Sequence, residues 1–252
     1  MSEDPPPPPS PAAPTTTPRR GYDEEVRELK HRALDMGKWA LGMVHDGWKA
    51  FRAGNLTLAQ AVLDRDATLD RFDEEIEHEV IGFLVLKQPT AVDLRTAAAL
   101  LKITTHLDRI GRLGFDMARI TTPEPAPSVA DLDAVLDRMD ELVESMVQQS
   151  LEALEGDRAP EAMGLFVRDD EVDRLHRQAT RLIVRELVRD PMSALQLSNE
   201  LLVARHFERI ADNACKIGEK TIYAVTGQRR SEYLPRHPYM PYVMEGTRPK
   251  PP

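Results

Sequence analysis

The chain has 252 residues, enough for one large or two small domains, with 33 Lys and Arg against 42 Asp and Glu and a net charge of -9. Aromatics are few, and Ala, Leu, Arg, Glu and Asp dominate, which is the palette of exposed helices rather than of a sandwich or barrel. The acidic balance argues against general nucleic-acid binding, and the lone cysteine, Cys215, excludes an intramolecular disulfide. Cys215 lies among apolar neighbours and reads as a buried structural thiol.

Residues 1–20 hold a run of five prolines and a Thr-rich stretch, read as a disordered tail that cannot bury a core. With no apolar h-region and no run near the ~20 residues of a membrane span, the expectation is a cytoplasmic protein without membrane insertion.

Helical periodicity starts near Tyr22 and carries Leu29, Ala33, Met36, Ala40, Met43, Val44 and Trp48 on one stripe. Gly54-Asn55 supplies its stop. A second helix is predicted as one piece from Thr57 to Leu86, with Ala61, Leu69, Phe72, Ile76, Val80 and Phe83 inward and Pro89 ending it. The third runs from about Ala91 to Ile120, before a linker holding Pro123, Pro125 and Pro127. Three more helices follow, over about Asp131–Leu154, Pro160–Arg189 and Ser193–Thr226. Residues from Gln228 onward are rich in Arg, Pro and Tyr without a period, and read as a disordered basic tail.

Three helices, a proline break and three helices make two copies of one unit. Asp70 to Pro89 and Pro89 to Asp108 each span 19 residues; Asp173 to Pro191 spans 18 and Pro191 to Glu208 spans 17. The fold class is all-α, two tandem antiparallel three-helix bundles over 21–122 and 129–227.

Carboxylates recur at helical spacing. Asp66, Asp70 and Glu74 form an i, i+4 ladder; Asp169, Asp170 and Asp173 open the matching stretch of the second unit; Asp108 with Asp116, and Glu208 with Asp212, lie on the third and sixth helices. Two carboxylates four apart point the same way and can share a hard cation, and without one they repel. Any single pair is ordinary surface charge; the repetition gives the pattern weight. His106 and His206 each stand two residues before the acid, about 200° of helix rotation away, so a surface or interface role suits them better than co-ligation. No zinc spacing, phosphate loop or nucleophile elbow occurs, and no catalytic residue is assigned.

The second copy, Glu208-Arg209-Ile210-Ala211-Asp212, and the first, Asp108-Arg109-Ile110-Gly111, resemble the twofold signature of the PhoU family, as do Gln88-Pro89-Thr90-Ala-Val-Asp93-Leu94-Arg95 and Ile222-Tyr223-Ala-Val-Thr-Gly227. The resemblance covers about residues 21–228. It implies a non-enzymatic negative regulator of phosphate uptake and phosphate-starvation signalling, an adaptor between the ATPase subunit of the phosphate ABC transporter and a sensor histidine kinase. It also implies a protein that often forms a homodimer, and multinuclear iron or zinc as cofactor. Carried over residue by residue, the metal ligands would be Glu208 and Asp212, with Asp170 and Asp173 opposite. The first-unit set would be Asp70, Glu74, Asp108 and Asp116. Two departures stand out: Arg112 replaces the family's Asp, and Lys216 replaces its Asn. The expectation is that Arg112 neutralises Asp108 and Asp116 as an internal ion pair in place of metal. The alternative reading is a metal-binding or metal-storage helical protein.

Overall fold

A computed structural model describes residues 19–124, 129–229 and 232. The expected tails over 1–20 and 228–252 therefore lie largely outside the described residues.

Each apolar stripe produces a helix that buries that stripe. The elements are α1 (Arg19–Ala53), α2 (Leu56–Leu63), α3 (Asp66–Lys87), α4 (Ala91–Arg119), α5 (Ala130–Glu155), α6 (Ala159–Arg189) and α7 (Ala194–Thr226), with a 3-10 turn at Pro191–Ser193 before α7. All described regular structure is helical, and each unit folds as an antiparallel bundle: α1, α2–α3 and α4, then α5, α6 and α7.

The predicted second helix is two helices. Asn55 caps α2 by accepting from the Leu58 amide at 3.0 Å. The chain then tightens, with the Asp64 N–H donating to the Gln60 carbonyl and the Arg65 N–H to that of Val62. The cause is Arg65. Its guanidinium reaches back to Asp46 on α1 at 2.7 Å and its carbonyl accepts from Trp39 Nε1 at 3.4 Å. The break shifts the helical phase, so Ala59 and Val62 are buried while Ala61, expected inward, is exposed.

The two bundles share one core. A single cluster of buried side chains runs from Leu29 on α1 to Ala224 on α7, and α1 packs on α5 as α4 packs on α7. Trp48 meets Phe207 edge-on, 5.2 Å between ring centres, across the boundary between units. Inside the first bundle α1 and α4 touch backbone to backbone. A Cβ added at Gly47 would stand 2.4 Å from the Gly114 carbonyl oxygen.

The antiparallel course puts the two inter-helix tips at opposite ends. The α3–α4 turn lies where α1 begins and α7 ends: Lys87 pairs with Glu25 at 2.7 Å and Arg95 donates to the Ala224 carbonyl. The α6–α7 turn lies where α4 ends, with Asn199 donating to the Ile120 carbonyl.

Candidate functional site

In the first unit Asp66 and Asp70 stand one turn apart on α3, facing Asp108 and Arg112, one turn apart on α4. The Arg112 guanidinium fills the centre. Its Nε donates to both Asp108 oxygens at 3.1 Å, Nη1 to Asp66 at 3.3 Å and Nη2 to Asp70 in a short contact. One planar cation thus uses its fork of donors on three carboxylates. Burial pushes the Asp108 carboxyl up, against the pull of Arg112 and with help from Asp73 and Asp70.

Two expectations are corrected here. Glu74 is exposed, and Asp73, one residue earlier, is the acid whose charge reaches Asp108. Asp116 is not an Arg112 partner: two turns along α4 from Asp108, it pairs with Arg119 at 2.8 Å and its charge acts on His206.

In the second unit α6 carries Asp169, Asp170 and Asp173, and α7 carries Glu208 and Asp212. Here no arginine replaces the central position: Asp212 stands 100 residues after Arg112. Glu208 takes Arg205 on one oxygen at 2.8 Å, while its buried Oε2 has no hydrogen-bond partner. Burial raises the Glu208 carboxyl; Arg205 offsets this, and Asp212 and Asp173 add to it. Asp169 is pushed up to about 7 by burial and then by Asp212, Asp173, Asp170 and Glu208. The five acids therefore feel one another's charge. Asp170, expected as a ligand, is exposed, and Asp169 is the inward member of the pair. The repeat itself carried that signal, since Asp66 and Asp169 are 103 residues apart, as are Asp70 and Asp173.

The histidines sit at the interface of α4 and α7. His106 Nδ1 lies 2.9 Å from Asn213 Oδ1, and burial lowers the pKa of both His106 and His206. Lys216 pairs with Glu219 at 3.0 Å, and its charge acts on His106. Cys215 is buried, as expected of a structural thiol.

The first cluster does not fit a metal ion, because Arg112 already occupies the position a cation would take. The second fits in donor type and in charge: all-oxygen donors, with Asp169 and Glu208 raised by burial and by neighbouring acids, and an unsatisfied buried Oε2 suit a cation. It is not a closed coordination cage, for among the described residues no three His, Cys, Asp or Glu side chains converge closely enough to hold one ion. An open cleft of about 630 Å³ where α5 begins and α6 ends is lined by Asp131, Arg185, Glu186, Arg189 and Asp190, charged side chains rather than an apolar substrate pocket.

Comparison with known proteins agrees with the duplication. The PhoU domain model matches twice, over residues 33–121 and 136–221. The chain is 31% identical over 221 residues to the phosphate-specific transport system accessory protein PhoU homolog of Caulobacter vibrioides, covering 86% of this chain and 95% of that one. It is 29% identical over 212 residues to the homolog from Clostridium acetobutylicum, covering 84% and 97%. The crystal structure of PhoU from Pseudomonas aeruginosa superposes with a TM-score of 0.77 at 28% identity, over 82% of this chain and all of that one. With both repeats matched and nearly the full length of these relatives spanned, the chain belongs to the PhoU family, a family of regulatory accessory proteins rather than enzymes.

Proposed function

We propose that this protein regulates phosphate uptake and phosphate-starvation signalling by contact rather than by turnover. It serves the phosphate transport system, and acts as an adaptor between the transporter's ATPase subunit and a sensor histidine kinase, restraining the starvation response when phosphate is plentiful. The observation that carries the reading is the match of both repeats to the PhoU domain across nearly the whole of relatives named as phosphate-specific transport accessory proteins. No described helix is long and apolar enough to cross a membrane, so the chain would reach the transporter peripherally, from the cytoplasmic side, as a monomer or a homodimer. The experiment is a deletion strain. Phosphatase expression and phosphate uptake are expected to escape repression at high phosphate and to be restored by the wild-type gene. Normal repression, with no transporter or kinase component co-purifying, overturns the reading.

A second reading is favoured by the gathering of acids on α6 and α7, whose charges act on Asp169. Asp169, Asp173, Glu208 and Asp212 would have to draw together to hold iron or zinc, with Asp170 at the rim, while Asp70 and Asp108 remain bound to Arg112. Elemental analysis of the purified protein is expected to find metal that a Glu208→Ala, Asp212→Ala double variant loses. A metal-free wild-type protein sinks this reading and leaves the regulatory one standing.

A further inference from the structure

The two tips of the molecule are repeat-related, and the duplication keeps apolar side chains at some positions while the second unit carries arginines at others. Ile81 and Val85 on α3 correspond, 103 residues on, to Val184 and Val188 on α6. All four are exposed, Val85 by 65% and Val188 by 80%. Each tip continues into further exposed aliphatics: Leu86, Val92 and Leu94 in the first unit, Met192 at 91% and Leu195 at 68% in the second. Large aliphatics this exposed, grouped at a protruding turn, mark a contact surface.

The flanking charge tells the tips apart. At the same offset Glu74 becomes Arg177, His78 becomes Arg181, Gly82 becomes Arg185 and Leu86 becomes Arg189. Over residues 71–92 five acids face two bases, a balance of -3; over residues 174–195 five arginines face Glu186 and Asp190, a balance of +3. Of those two acids, Glu186 is buried, and Asp190 accepts from the Met192 amide at 3.2 Å and from Ser193 Oγ at 2.5 Å. The arginines hold their acidic neighbours only loosely: Arg177 to Asp173 at 3.7 Å, Arg185 to Asp131 at 4.0 Å, Arg189 to Glu186 at 3.6 Å. Arg177, Arg181, Val184, Arg185 and Val188 recur at three and four, so arginine and valine share one outward stripe.

We propose that the α6–α7 tip is a docking surface for an anionic lipid bilayer. Val188, Met192 and Leu195 would enter the headgroup layer, the arginines would meet lipid phosphates, and no segment would cross. Protruding aliphatics ringed by arginine are the side-chain chemistry of interfacial membrane contact. A protruding tip suits a flat bilayer, whereas a partner helix is received by a groove. The acids on the matching stretch of α3 would be repelled by the same surface. The inference does not rest on the regulatory reading, because it concerns the purified chain and lipid alone.

The experiment is flotation of the full chain with phosphatidylcholine vesicles, with and without phosphatidylglycerol at one part in four. Binding is expected only with the anionic vesicles, and lost at high salt. Two double variants, Val188→Ser with Met192→Ser and Arg181→Glu with Arg185→Glu, are each expected to weaken it about tenfold. Val85→Ser with Leu86→Ser, at the acidic tip, leaves it unchanged. The substituted side chains are exposed, so circular dichroism is expected to show an intact fold. Failure of the wild-type chain to float at low salt overturns the proposal, as does equal binding by the α6–α7 variants. Loss of a co-purifying protein in those variants, without any vesicle binding, assigns the surface to a protein and also overturns it.

Discussion

Glu200 is a carboxylate only 3% exposed, on α7, which packs on α5, and it feels the charges of Asp133 on α5 and Arg52 on α1. Its Oε2 has no hydrogen-bond partner, and the nearby Arg52 is drawn to Asp133 at 2.7 Å. Burial, with Asp133 adding and Arg52 opposing, pushes its carboxyl up to about 7. A folded-state pKa raised above the unfolded one means that the native state holds the proton longer. Stability from this group is therefore present at low pH and lost as pH rises from the ordinary carboxylate range towards about 7. Glu200→Gln removes that dependence. The variant is expected to be more stable than wild type at pH 8 by about 2 kcal/mol, with the difference shrinking towards zero near pH 5. Thermal melts across that range check it, and a gap independent of pH counts against it. Nothing in the sequence marks Glu200, since a Glu on a helix reads as solvated surface until the helix is known to be covered on that side.

At the scale of elements, α1 and α4 approach so closely at Gly47 and Gly114 that neither position has room for a methyl group. A Cβ at Gly114 would lie 2.5 Å from the Met43 carbonyl carbon, part of a backbone that cannot swing aside. Gly114→Ala is expected to cost about 2–3 kcal/mol despite its better helix propensity, read as a lower urea midpoint at unchanged slope. A neutral or stabilising result would mean that the helices can part without penalty. These helices were largely legible beforehand, because a stripe such as Leu29, Ala33, Met36, Ala40 and Met43 has no other use. The division between α2 and α3 was not. It comes from Arg65 reaching Asp46 and Trp39 on another helix, and periodicity within one segment holds no trace of such a partner. For the acids, by contrast, the repeat did hold the answer, since Asp169 and not Asp170 stands 103 residues after the inward Asp66. Asp170 and Asp169 are neighbours in sequence and differ by 100° of rotation.

For the whole molecule, the two tandem bundles legible in the sequence are present, and the structure adds that they are joined through one core. Periodicity shows which face is apolar and is silent on what covers it, so the Trp48–Phe207 contact could not be foreseen. The shared core predicts a single cooperative unfolding transition, with equal calorimetric and van't Hoff enthalpies. Trp48→Ala is expected to lower that one transition, by about 3–5 kcal/mol, rather than split it. Two separated transitions would show the units to be independent.

Arg112 has a consequence at this largest scale as well. A guanidinium tethered to the helix that carries Asp108 is present at a local concentration that no dissolved ion can match. The acids of α3 and α4 therefore keep a shared counter-charge whatever the surrounding fluid contains. On α6 and α7 counter-charges come from the acids' own helices, Arg205 to Glu208 at 2.8 Å and Arg177 to Asp173 at 3.7 Å. One repeat thus ties its two helices together through a common cation, so a scaffold duplicated in shape is held by charge in different ways in its two halves.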